Sequence, residues 1–377
     1  MQYILISAVI AFFISFYFIP VLIHLAEKKK LVDVPDERKI HTNPIPRFGG
    51  IGIFAGFVCS LLLNVSINNQ FIQFQYLLAA FLIIFFLGVG DDIMALSPFK
   101  KFIGQLVASF ILIFKGHLLI NNLHGFLGIH QIPDVVSYLL TYFTIIVIIN
   151  AINLIDGVDG LAGMLSLIST FFFGSWMYLN GDLAYSLIAF SLFGSILAFL
   201  YYNYYPAKIF MGDAGSMMLG LINAILVIRF INLAPTAHQF PVPASPAIGF
   251  GLLLIPLMDT LRVFCIRLSR GNSPFIADRN HIHHLFLDKG FTSVQTTFIL
   301  ASLSVVFSLL FFCMASFNTT VVFALEAVLF FTVISALHIY EPATMRVKKK
   351  EDGEVVIEEP RRLRLKVLFS KKEKQEA

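Results

Sequence analysis

The chain has 377 residues, of which 58% are hydrophobic and 13% charged, with a formal net charge of +4. Soluble domains carry about twice that share of charged residues, so a soluble globular fold is excluded and an integral membrane protein is expected. Cys59, Cys265 and Cys313 all stand in apolar runs, which argues against a disulfide framework or a zinc site.

In chain order, apolar runs fall at about 3–26, 47–67, 74–90, 102–120, 135–152, 162–180, 184–202, 214–233, 245–265, 296–316 and 319–340. The first has no small-residue cleavage signature and continues past Pro20, so it reads as a retained helix and not a signal peptide. The expected fold is an all-α polytopic membrane protein of about eleven transmembrane helices. Alternate connections hold Lys28, Lys29, Lys30, Arg38, Lys39, Arg47, Lys100, Lys101, Lys208, Arg267, Arg270, Arg279 and Lys289. The other connections, near 68–73, 121–134, 181–183, 234–244 and 317–318, carry no Lys or Arg. Positive loops stay inside. The amino terminus is therefore expected outside and the carboxyl terminus in the cytoplasm.

Against this frame the acids stand out. The first basic loop contains Asp33-Val34-Pro35-Asp36-Glu37-Arg38-Lys39-Ile40-His41, stiffened by Pro35, Pro44 and Pro46 and followed by Gly49-Gly50. Lys39 and His41 there suit an anionic lipid head group, or serve only as turn and topology residues. Asp91 and Asp92 close the third run. Adjacent carboxylates at a membrane helix end point about 100° apart, so one can ligate a hard cation while the other meets a phosphate or a proton.

After the fifth run comes Asn153-Leu154-Ile155-Asp156-Gly157-Val158-Asp159-Gly160. Its three-residue spacing gathers the oxygens of Asn153, Asp156 and Asp159 on one helical face, donors suited to magnesium or to nucleotide and sugar hydroxyls. Gly212-Asp213-Ala214-Gly215-Ser216 opens the eighth run, where Asp213 can cap the helix or ligate metal. Asp259 and Arg262, three apart near the end of the ninth run, read as an internal ion pair. The following loop holds Asp278-Arg279-Asn280-His281-Ile282-His283-His284. Its arginine fork and imidazole donors fit a pyrophosphate clamp better than zinc. All four acidic stretches fall in the basic set of connections, although lysines and arginines alone fixed the sides. No phosphate-binding loop of the Walker type is present, and nucleic acid is not an expected partner.

Together Asp91-Asp92, the 153–160 stretch, the 212–216 stretch and the 278–284 stretch resemble the polyprenyl-phosphate N-acetylhexosamine-1-phosphate transferases of the family 4 glycosyltransferase type. The Asp-Arg-Asn-His-Ile-His-His form is similar to the branch that transfers N-acetylglucosamine 1-phosphate from its UDP donor to undecaprenyl phosphate. It departs from the three consecutive histidines of the muramoyl-pentapeptide branch. The resemblance implies a Mg²⁺-dependent enzyme, with Mn²⁺ as an alternative ion, in a bacterial inner membrane with its site facing the cytoplasm. By similarity Asp91 and Asp92 are catalytic, with Asp91 engaging the lipid phosphate, and Asp92 and Asp213 hold the metal. Asn153, Asp156 and Asp159 line the nucleotide side. Arg279, His281, His283 and His284 bind diphosphate or amino sugar, and Lys39 and His41 the lipid phosphate. A transferase domain over 1–345, a basic cytoplasmic tail over 346–377 and room for a homodimer complete the expectation. A secondary transporter is the rival from another class, but it would place charges near the midplane, usually in repeated halves.

Overall fold

The computed structural model describes residues 2–29, 31, 45–64, 74–271, 273, 280–340, 346–349 and 355–358. Lys39, His41, Asp278 and Arg279 lie outside them. The described residues form thirteen α-helices: α1 (Gln2–Lys29), α2 (Gly49–Asn64), α3 (Phe74–Met94), α4 (Pro98–Phe110), α5 (Asp134–Ile155), α6 (Leu161–Leu179) and α7 (Leu183–Asn203), then α8 (Gly212–Leu233), α9 (Ser245–Gly251), α10 (Leu254–Ser269), α11 (Ile282–Asp288), α12 (Ser293–Cys313) and α13 (Thr319–Ile339). Two short antiparallel ribbons accompany them, β1 (Asn122–Phe126) with β2 (Ile129–Gln131) and β3 (Arg346–Lys349) with β4 (Val355–Glu358).

Among the described residues, eight helices are long and apolar enough to cross a bilayer, and nine if α9 and α10 count as one span broken by 83°. The remaining two expected spans take other forms. α2 is apolar but only 16 residues long. The run at 102–120 becomes the 13-residue α4 followed by a π-helical turn, Ile111–Lys115.

α8 is the hub. It is apolar all round, the mark of a helix buried on every side, and it packs on α2, α3, α5, α6 and α9. Close approach is secured by small residues. A Cβ on Gly88 of α3 would overlap Ala214, and one on Gly220 would overlap Ile149 of α5. A second seam joins α1, α2 and α7. Ser60 donates to the Ser7 carbonyl at 2.6 Å and lies 3.2 Å from the Ser191 hydroxyl. Interhelical bonds of this kind contribute about 0.6 kcal/mol each, so the seam rests mainly on fit. α1 and α13 are the least enclosed of the long helices, as expected of helices facing lipid.

Candidate active site

Four helix ends converge: the last turn of α3, the first turn of α4, the exit of α5 and the first turn of α8. Their approach follows from glycine. Gly212 has a φ of +72°, and a Cβ there would meet the Asp92 carboxylate. The Gly49 and Gly50 N–H groups donate to the carbonyls of Phe210 and Met211 at 2.9 and 2.7 Å, docking the start of α2 on the same segment.

Asp92 spends both oxygens on the start of α8. Oδ1 accepts the Asp213 N–H at 2.7 Å and Oδ2 accepts the Ala214 N–H at 3.0 Å. It thus caps a helix other than its own, satisfying donors that have no partner within α8. Asp91 points elsewhere, as adjacency on a helix requires. Its Oδ1 accepts the Leu96 N–H at 2.7 Å, and its Oδ2 meets Lys101 Nζ at 2.5 Å. Lys101 also reaches Asp213 Oδ2 at 2.7 Å. Asp213 Oδ1 accepts from Asn153 Nδ2 at 3.0 Å, and the same amide reaches Ser216 Oγ at 2.8 Å. Asp213 is therefore a shared acceptor and not a cap for its own helix.

Lys101 is the member of this cluster to which the sequence alone assigns no role. It looked like one more inside-positive residue, and only its place one turn into α4, facing the end of α3, distinguishes it. Asp156 ends α5 half-buried beside this group. Burial, reinforced by the charges of Asp213, Asp92 and Asp159, pushes its carboxyl up to about 7. The Asp159 carbonyl accepts from Thr297 of α12 at 2.8 Å, and the Gly160 N–H donates to Asn203 at 2.8 Å. The turn is thereby held to α12 and α7.

The histidines sit differently from an open clamp. Asp259 of α10 is 1% exposed. Its Oδ1 meets Arg262 Nη2 and the Ile282 N–H, each at 2.9 Å, and its Oδ2 meets His281 Nδ1 at 2.8 Å. Arg262 also donates to the Asn280 carbonyl. The expected Asp259–Arg262 pair is present and, in addition, ties down the start of α11. His283 is buried with its ring against Gly157, where a Cβ would overlap it. Burial, then the neighbouring His284, push its imidazole down to about 3, so the ring is neutral. His284 is half-buried, its ring centroid 4.4 Å from that of His283. Residues 281–284 thus form an internal strap that ties Asp259 of α10 to the 156–160 turn.

Among the described residues, no three His, Cys, Asp or Glu side chains converge as a ready-made metal cage. The donor set nonetheless suits a hard ion. It is carboxylate oxygen only, and an ammonium already bridges Asp91 and Asp213. Mg²⁺ is commonly held by one or two carboxylates, with substrate phosphates and water completing its shell.

Fold and site together define a polytopic α-helical membrane protein with a carboxylate-rich polar centre where its helix ends meet. The chain belongs to glycosyl transferase family 4. The family model matches residues 74–231, which hold Asp91, Asp92, Lys101, Asn153, Asp156 and Asp213. It is similar to the undecaprenyl-phosphate alpha-N-acetylglucosaminyl 1-phosphate transferase of Yersinia pestis, 32% identical over 298 residues, covering 78% of this chain and 79% of that one. The Haemophilus influenzae protein of that name is 33% identical over 308 residues, covering 80% and 84%. The Escherichia coli K12 protein is 31% identical over 286 residues, covering 74% and 75%.

Proposed function

We infer that the chain transfers N-acetylglucosamine 1-phosphate from UDP-N-acetylglucosamine to undecaprenyl phosphate and releases UMP. The observation that carries this reading is the Asp91–Lys101–Asp213 bridge at the meeting of α3, α4 and α8, in a chain that aligns with transferases of that name over most of both lengths. In the reaction a lipid-phosphate oxygen attacks the sugar-bearing phosphorus of the donor. The bond to the bridging oxygen breaks, and UMP leaves with that electron pair. Little covalent chemistry falls to the protein; position and charge carry the step.

Asp213 and Asp92 are the residues that would hold Mg²⁺, which when bound neutralises diphosphate charge. Asp92 does so while capping α8, each oxygen keeping a second lone pair. Asp91 faces the lipid phosphate. Lys101 exchanges its carboxylate partners for phosphate oxygens as substrates enter. Asn153, Asp156 and Asp159 line the nucleotide side. His284, beside the buried His281 and His283, borders the diphosphate or sugar together with Arg279, and Lys39 and His41 bind the lipid phosphate. Residues 1–345 form the transferase unit and 346–377 a basic tail.

Eleven crossings, counting α2, α4 with its π turn and the broken α9–α10 span, put the amino terminus outside and the site on the cytoplasmic face of a bacterial inner membrane. The alternation of basic and Lys/Arg-free connections supports that orientation. The product is a lipid-linked diphosphate sugar for envelope polysaccharide. A second N-acetylhexosamine donor would use the same chemistry. Purified protein supplied with Mg²⁺ and undecaprenyl phosphate should release UMP from UDP-N-acetylglucosamine ahead of other UDP-sugars; no release from any donor would remove the reading.

A further inference from the structure

Glu326 is the only acid in α13 and lies far along the sequence from the site just described. It is 2% exposed, and its Oε1 has no hydrogen-bond partner. Among the described residues no basic side chain pairs with it. Its carboxyl lies against Gly251, the last residue of α9, where a Cβ would overlap Oε1 and crowd the Phe311 ring. α9 carries no titratable side chain.

That contact falls on the break between α9 and α10, and the break has a cause. Pro256 has no N–H to offer the carbonyl four residues back, at Leu252, and its ring clashes with that carbonyl. The chain bends by 83° there, and among the described residues no main-chain N–H bonds to the Leu252 carbonyl. A freed acceptor inside an apolar bundle is costly. An ionised carboxylate with no partner is costlier still. One change answers both, since a protonated carboxyl is neutral and supplies a donor.

We propose that Glu326 works as a neutral carboxylic acid that donates to the Leu252 main-chain carbonyl freed at the α9–α10 break, making it a positioning residue for the transferase site. The link runs through α10, which begins at the break and, just over one turn on, carries Asp259. That carboxylate holds His281 and the start of α11, and so the strap against Gly157. The positioning role rests on the function inferred above; the protonated latch does not.

The test uses full-length protein in lipid, as wild type, Glu326→Gln, Glu326→Leu and Gly251→Ala. Infrared spectra of wild type should show the carbonyl stretch of a buried carboxylic acid, absent from Glu326→Gln. Glutamine keeps a neutral donor, so UMP release should stay within about twofold of wild type and the melting temperature unchanged. Leucine removes the donor and should lower kcat/KM by about tenfold and the melting temperature with it. Gly251→Ala displaces the carboxyl, and the double variant Gly251→Ala/Glu326→Leu should lose no more than Glu326→Leu alone, because both changes break one interaction. A Glu326→Gln loss as large as that of Glu326→Leu would show that the charge is needed and overturn the proposal. So would a missing acid band, or a Glu326→Leu protein equal to wild type. If Glu326→Leu fails to fold, the band in wild type against Glu326→Gln decides. If wild type releases no UMP from any donor, the transferase reading fails, while the band and the order of melting temperatures still test the latch.

Discussion

Asp92 and Asp259 make the same local bond and belong to opposite kinds of site. Each carboxylate reaches from one helix to the first N–H groups of another, Asp92 to α8 and Asp259 to α11. Around Asp259 the charge is matched: Arg262 and His281 add two further partners, and water is shut out. Around Asp92 it is not matched. Asp91, Asp156 and Asp213 add three more half-exposed carboxylates, and among the described residues Lys101 is the one cation bridging any of them. A charge that holds structure is matched and buried; a charge that receives a ligand is left short of partners and open. On the function inferred above, the surplus of negative charge makes the α3–α8 junction the place for a cation and phosphates, and the α10–α11 junction its support.

The contrast breaks most sharply with Asp213→Ala. It removes a ligand-facing carboxylate while leaving the α8 cap in place, so UMP release should fall by about 10³-fold or more, with melting temperature little changed. Lys101→Met should follow, at about 10²-fold, because methionine keeps the stem and loses the ammonium. Asp92→Ala should lose turnover and stability together, the latter by about 2 kcal/mol, since two charge-assisted bonds to α8 disappear. Asp259→Ala should do the reverse of Asp213→Ala. Stranding Arg262 should cost about 3–5 kcal/mol, read by thermal unfolding in detergent, and whatever turnover survives should still need metal.

The smallest effect is one of pH. The folded Asp156 carboxyl sits near 7 against an ordinary value of 3.8, so the folded state holds its proton across that interval and the unfolded chain does not. Its contribution to stability is therefore present at the acid end and lost as pH rises through about 7. Metal-free protein should melt at lower temperature at pH 8 than at pH 5.5, and Asp156→Asn should flatten that slope.

Much of this site is legible in the sequence. Asp91-Asp92, Asn153, Asp156 and Asp213 stand at run ends that the charge of the connections assigns to one side, and they do meet. Residues whose meaning depends on a distant partner are not legible. Lys101 reads as a topology marker until α4 is seen lying under α3. His281 and His283 read as an open cationic cluster, because nothing local reveals Asp259 or the absence of a side chain at Gly157. The run 245–265 reads as one span, since membrane helices tolerate proline, and only the backbone, bent by 83°, shows it broken at 252–253. Glu326 is a single acid in a long apolar run, invisible as a pattern of any period.

The most direct measurement is Mn²⁺ binding, followed by electron paramagnetic resonance in the presence of the UDP-sugar. Wild type and Asp259→Asn should bind the ion, and Asp213→Ala should not. Equal binding by Asp213→Ala and wild type would place the cation elsewhere and contradict a centre built on the α3–α8 junction.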